Sequence, residues 1–357
     1  MSLLDQLKTL TQMGGPSGLE TSIAATVLDL WQPLVDSAEI DHMGNVIAVK
    51  HGSGDLPRKR LMVTAHMDEL GLMVHSIETF NGYGFLRVLP LGGVDIRQLI
   101  GQRVTVHGTK PLIGVVGALP QSMLPDDKRG RAYDYEALLV DVGLSAETTQ
   151  ATVSVGDFIT FNQPVHQLMN GRIATKAIDN RACVAALTEA LRYLQTRDHS
   201  WDVVFAATIQ EETRLLGGFL TAFSQKPDVA ISLDVSHAKQ PGVSEPGSYA
   251  LGSGPILDIG VNIHPGMLAE LRKAADALEM KVNLLTHTRS SGTETSAIQL
   301  TEAGIPTALI SVAIRNMHTM VESVSLKDIS RAGRLTGEFA ARLNDTFLDK
   351  LHESLFI

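Results

Sequence analysis

Apolar residues fall into three successive textures along the chain. Leu3, Leu4, Leu7 and Leu10 share one face at helical spacing, and helical patterns cover about 3–12 and 20–32. NVIAVK (45–50) and RLMVTA (60–65) read as strands separated by the turn-rich HGSGDLPRK. From about 71 to 165 the apolar segments are short and β-like (GLMVHSI, GFLRVLP, RVTVHG, LIGVVGAL, ALLVDVG, DFITF), broken by Gly, Pro and Asp. Such spacing predicts a small barrel or sandwich. From about 168 onward strands alternate with helices. VVFAATI (203–209), VAISLD (229–234) and PTALISVAI (306–314) are continuous apolar runs, as expected of strands covered on both faces. Val184, Leu187, Leu191 and Leu194 form one helical stripe, Leu268, Leu271, Ala275 and Leu278 another, and 326–350 reads as one long helix. The pattern predicts an α/β sheet with helices on both sides, its domain (1–69 and 166–357) split around a β insertion at 70–165.

Composition narrows the function. The chain has 357 residues and a net charge of −9, from 30 basic and 39 acidic residues. That balance argues against a nucleic-acid or anionic-membrane partner. A single cysteine, Cys183, rules out an intramolecular disulfide; in the first turn of a helix it reads as a small buried apolar residue rather than a nucleophile. MSLLDQLKTLTQM lacks the basic and apolar regions of a secretory leader, and no apolar run reaches membrane-spanning length, so a cytoplasmic protein is expected.

The chemistry lies at the ends of the apolar runs. His66 directly follows strand 60–65, with Asp68 two residues on and so on the same side in extended geometry. A carboxylate beside a ligating imidazole fixes its tautomer, which makes His66 a candidate ligand and Asp68 its partner; the bland reading of HxD alone is a polar turn. Asp179 precedes the helix opened by NRACVAALTEAL. Its two oxygens can bridge two cations, whereas in isolation it is an ordinary N-cap, with Lys176 and Arg181 as surface charges. Glu211 and Glu212 follow strand 203–209; adjacent residues leaving a strand diverge, so one carboxylate can ligate while the other faces substrate. Asp234 ends strand 229–233 and His318 follows strand 306–314 after a short loop. In open α/β sheets ligands gather beyond the carboxyl ends of the strands. Together these residues suit two divalent ions with open positions for water and substrate. His75, His107, His166, His237, His264 and His287 have no partner at ligand spacing and default to structural roles. There is no GxSxG, no phosphate-binding glycine loop and no CxxC pair.

The order and spacing of AHMDELG, KAIDNR, QEE, LD and MHTMVE resemble the M42 metallopeptidase family, the cobalt- or zinc-dependent aminopeptidases related to TET and glutamyl aminopeptidases. The resemblance covers nearly the whole chain, including LPLGGVDIRQLIGQRV in the β insertion. It implies a mixed-sheet, three-layer α/β catalytic domain of metallopeptidase type with an inserted PDZ-like β-barrel. It implies that His66, Asp179 and Asp234 hold one metal and Asp179, Glu212 and His318 the other, with Asp179 bridging, Glu211 as general base and Asp68 orienting His66. It further implies peptide substrates with a free N-terminus, two divalent ions (Zn, Co or Mn), and self-association to dimers or a twelve-subunit tetrahedral shell. The chain departs from the family pattern at Glu294, where Asp is usual in a GTDA-like segment, at Thr319-Met320 in place of Ser-Pro, and at QEETRLLGG. These departures bear on pocket shape and side-chain preference. The rival readings are a related co-catalytic deacylase or carboxypeptidase, a glycan hydrolase using Glu211 and Glu212, and a non-catalytic metal-binding scaffold.

Overall fold

The computed structural model describes residues 1–353. Its larger sheet has eleven strands, and its centre is four mutually parallel ones: Asp202–Thr208, Arg60–His66, Val229–His237 and Thr307–Arg315, side by side in that order. Residues on these strands are buried almost without interruption, which explains why their sequences are apolar throughout rather than alternating. Val46–Lys50 runs antiparallel to Asp202–Thr208, and Ser37–Ile40, a strand the apolar pattern does not predict, pairs outside it. Beyond Thr307–Arg315 the sheet forks. One branch is Ile256–Gly260 with Asn283–His287; the other is Glu322–Ser325, Arg172–Thr175 and His166–Leu168.

Successive residues of each strand feed opposite faces, which makes three layers. Leu61 and Val63 join the main core with Leu7, Ala24, Leu187 and Leu335, under helices Leu3–Gln12, Thr21–Trp31, Ile178–Leu194 and Leu326–Ala341. Met62 and Val204 face the other way, onto Ala222 and Ile298 of helices Leu216–Gln225 and Glu294–Gln299. Both faces need cover because a parallel sheet exposes no polar face.

Three elements differ from expectation. The stretch 326–350 is two helices, Leu326–Ala341 and Phe347–Glu353. Between them the Asn344 carbonyl accepts the indole N–H of Trp201 at 3.2 Å, and Phe347 turns in edge-on against Trp201 and Phe339. Strand 229–233 continues to His237, so Asp234 lies inside a strand whose pairing with Thr307–Arg315 persists to Ile314. Lys176 and Arg181 are buried rather than surface charges. Lys176 Nζ lies 2.5 Å from Glu69 Oε2, and Arg181 donates to the carbonyls of Met67 and Leu10 at 3.0 and 2.8 Å. The three charged groups thus lock the 13–17 loop to the strand end that carries His66.

Six strands between residues 71 and 161 close into an antiparallel barrel, with core residues Leu72, Leu86, Val104, Val140 and Ile159. Met320, from the loop that carries His318, is buried in this barrel core. The residue standing where the family has proline therefore joins the site loop to the barrel. Among the described residues no helix is long and apolar enough to cross a membrane.

Candidate metal centre

Because the four central strands are parallel, their carboxyl ends lie along one edge, and the loops leaving them supply the site. His66 is the last residue of Arg60–His66, in register with Thr208. After Thr208 the chain breaks at Gln210, whose φ of 52° ends the strand, and turns into the short helix Glu211–Arg214. The two glutamates are thus neighbours on a helical turn, not on an extended segment. The turn is held by Asp68, whose Oδ1 and Oδ2 accept the backbone N–H groups of Glu211 and Glu212 at 3.1 and 3.2 Å. Ser17 Oγ donates to the same carboxylate at 2.5 Å. The two side chains still diverge: Glu211 Oε2 lies 3.8 Å from His66 Nε2, whereas Glu212 Oε2 lies 3.7 Å from His318 Nε2.

Asp179 stands at the centre. One carboxylate oxygen is 3.2 Å from His66 Nε2, the other 3.5 Å from His318 Nε2. It sits in the first turn of Ile178–Leu194, but with non-helical backbone (φ −74°, ψ 105°), and no side-chain cap bond is formed there. The N-cap position of this helix is Ala177, and the Asp179 carboxylate faces His66 and His318 instead. Asp234 Oδ1 is 3.9 Å from His66 Nε2, and His66 Nδ1 is 3.3 Å from Asp68 Oδ1. His66, Asp179, Glu211, Glu212, Asp234 and His318 line one cavity of about 370 Å³; Asp68 is buried behind His66.

The electrostatics of this cavity call for cations. No lysine or arginine is among its lining residues. Burial, followed by the charges of Asp234 and Glu212, drives Glu211 up to about 10, despite His66. Burial drives Glu212 up to about 8, with Asp179 adding to it, and Asp234 up to about 8 likewise. Burial also opposes the charge on Asp179, yet the imidazoles of His318 and His66 hold it well below the ordinary range. His318 in turn is raised to about 9, chiefly by Asp179. Four crowded carboxyls sharing two imidazoles are short of positive charge. The donors match what hard-to-borderline divalent ions take, imidazole nitrogen and carboxylate oxygen. Ligand atoms of His66, Glu211 and Asp234 all lie within 4.8 Å of one another, as do those of His66, Asp179 and Glu212. The residues present therefore fit divalent metal.

Several neighbours escape a reading of the sequence. Glu322 accepts the backbone N–H groups of Asp179 and His318, and Gly93, from the barrel segment, lines the cavity against His318. Glu322 had one signal, an acid in a buried strand just after a candidate ligand. Glu294 is buried against Gly218, where a β-carbon would come within 2.9 Å of its own, so the longer acid fits because position 218 has no side chain. Cys183 is fully buried with its thiol on the Asp234 carbonyl at 3.2 Å, and burial raises its pKa well above the usual thiol range, as befits an inert residue.

An open α/β sheet with a closed barrel between two of its strands, and a His/Asp/Glu pocket at its carboxyl edge, places the chain with the metallopeptidases. The sequence profile of the M42 glutamyl aminopeptidases matches residues 44–335, and the chain belongs to that family. It is accordingly a hydrolase acting on peptides, in a family dependent on metal. The lysyl aminopeptidase of Pyrococcus furiosus is 35% identical over 334 residues, 92% of this chain and 94% of that one. A TET aminopeptidase from a marine-sediment Thaumarchaeota archaeon superposes with a TM-score of 0.91 at 30% identity, covering 98% of each chain. The TET1 peptidase of Pyrococcus horikoshii, which can assemble into a tetrahedron or a large octahedral shell, superposes with a TM-score of 0.83 at 29% identity over 96% of this chain and 100% of that one.

Proposed function

We propose that the protein is a dinuclear metal-dependent aminopeptidase that removes N-terminal residues from peptides. The observation that carries this reading is Asp179, whose two oxygens face two different imidazoles, 3.2 and 3.5 Å away, as a bridging carboxylate between two ions would. His66, Asp179 and Asp234 would hold one ion, and Asp179, Glu212 and His318 the other; zinc, cobalt or manganese suits such donors. Bound there, the ions supply charge that acidifies water and polarises a carbonyl oxygen.

The rest is done by the chain. Asp68 stands 3.3 Å from His66 Nδ1, behind the ring whose Nε2 faces the cavity, and by its hydrogen bonds to the backbone it sets the turn bearing Glu211 and Glu212. Glu211 is the general base. It takes a proton from the water that attacks the peptide carbonyl and passes it to the departing amine. The substrate's free α-ammonium group binds beside these same carboxylates, which restricts cleavage to N-termini. Leu215, Val235, Ser291, Gly292, Thr293 and Met317 complete the walls, and none is charged. The cavity therefore favours an uncharged N-terminal side chain.

In this reading residues 70–165 are an inserted domain and 1–69 with 166–357 the catalytic one. Self-association, to dimers or a twelve-subunit shell, belongs to the same reading and is supported by the likeness to the Pyrococcus horikoshii peptidase. A glycosidase needs two carboxyls facing each other across a sugar; here Glu211 and Glu212 are adjacent on one turn and directed at different imidazoles. Aminoacyl amides with free and with acetylated N-termini test the proposal. It requires hydrolysis of the free series alone, and cleavage confined to the blocked series would make the protein a deacylase.

A further inference from the structure

Two buried carboxylates in this site each grip two backbone N–H groups. Asp68 does so for Glu211 and Glu212. The other is Glu322, the first residue of the strand Glu322–Ser325. Its Oε2 accepts the N–H of Asp179 at 3.0 Å and its Oε1 the N–H of His318 at 2.9 Å. Those two residues are 139 apart in sequence (318 − 179), yet their side chains meet at 3.5 Å. Nothing local to either loop dictates that meeting. His318 has φ of 60° and follows Asn316 at 57°; Ala177, two residues before Asp179, has 56°. A non-glycine residue in the left-handed region persists where its surroundings over-determine it. A single carboxylate that binds both loops by their backbones supplies that determination.

We propose that Glu322 is the positioning residue of the second ion site, setting the separation of Asp179 and His318 by clamping their main chains with one oxygen each. The proposal rests on the dinuclear reading above. Glutamate meets the task because its two acceptors lie on one rigid plane. Glutamine offers one acceptor and turns an N–H donor toward the other backbone N–H; aspartate keeps both oxygens but is one methylene short. Partners behind a ligand set its placement, and their loss commonly weakens metal binding by roughly 10–100-fold.

The test is metal titration of chelator-stripped wild type, Glu322→Gln and Glu322→Asp, followed by calorimetry and by the visible spectrum of the cobalt-loaded protein. Expected for both variants is a weakening of about tenfold or more at one or both ions, since Asp179 would serve both, with a changed cobalt spectrum. Two ions bound with wild-type affinities and spectrum would overturn the clamp and leave the dinuclear reading standing. A wild type that binds no divalent ion would overturn both. Hydrogen exchange on the unaltered metal-free protein gives an answer that needs no variant to fold. The amides of Asp179 and His318 are expected to exchange far more slowly than that of the neighbouring loop residue Met317, and exchange at the same rate would contradict the clamp.

Discussion

Gly93 abuts the ring of His318 so closely that a β-carbon at position 93 would lie 2.7 Å from Nδ1. The glycine comes from the barrel segment and the histidine from the loop after a central strand of the large sheet, so the cavity is closed by both parts of the chain. The ring is the partner with room to give way, being partly exposed. Gly93→Ala should therefore displace His318 rather than unfold the protein. We expect kcat/KM to fall at least about tenfold, equivalent to about 1.4 kcal/mol of transition-state stabilisation, with the thermal midpoint nearly unchanged. Wild-type kinetics in this variant would mean that the ring position has no part in activity.

Glu211→Gln removes the proton acceptor and preserves its shape. General-base catalysis is worth roughly 10²–10⁴-fold, so turnover should drop by that order while metal content, measured by elemental analysis, stays at the wild-type level. Unchanged turnover would remove Glu211 from its role.

Asp68→Asn should act through position rather than chemistry. The carboxylate accepts two backbone N–H groups and the Ser17 hydroxyl, all buried or half-buried. An amide in its place presents N–H to one of those donors, and a buried unpaired donor costs about 1–3 kcal/mol. Denaturant unfolding should report a loss in that range for the metal-free variant. Ser17→Ala should cost less, about 0.5–1.5 kcal/mol, the worth of a single hydrogen bond.

The uncharged walls formed by Leu215, Val235, Met317 and the 291–293 segment predict the side-chain preference. Among aminoacyl amides with free N-termini, kcat/KM should be higher for leucyl and methionyl than for glutamyl or lysyl substrates. The reverse order would place a charged group in the cavity that the present arrangement does not contain.

Away from the site, His287 Nε2 is 2.5 Å from Asp258 Oδ1, and Ser311 Oγ donates to the other oxygen at 2.7 Å. This pairing gives a structural role to a histidine that shows no partner in the sequence. Asp258 raises His287 above its ordinary value of 6.5 against partial burial. A histidine raised on folding contributes stability that is complete below the unfolded pKa and is lost as pH rises through the folded one. The stability difference between wild type and His287→Gln should thus shrink as pH is raised from about 6 to 8. A difference that grows over that window would contradict the pairing.

The strands of the central sheet were legible because each is apolar throughout, and the candidate residues because they stand where such apolar runs stop, although the strand bearing Asp234 runs on to His237. That logic identifies His66, Asp68, Glu211, Glu212, Asp234 and His318 as candidates, and it correctly expects α/β layering with a β insertion. It misjudges what depends on distant partners. Lys176 and Arg181 read as surface charges because their acceptors, Glu69 and the carbonyls of residues 10 and 67, are remote in sequence. The break after Ala341 is invisible locally, since Trp201 and Phe339 receive Phe347 from elsewhere in the fold. Gly93 and Glu322 lie inside the quoted segments LPLGGVDIRQLIGQRV and MHTMVE, but what each touches, the ring of His318 and the backbone of Asp179, is remote in sequence or set by the fold.

The central claim is that remote loops assemble a pocket for two ions that make the protein a peptidase. Its most direct test is to strip the protein with chelator, titrate back zinc, cobalt or manganese, and follow bound ions per chain together with hydrolysis of a leucyl amide. The account predicts two ions per chain, with activity absent from the stripped protein and restored as the pair of sites fills. Hydrolysis that persists undiminished in chelator, or saturation below two ions per chain at full activity, would contradict it.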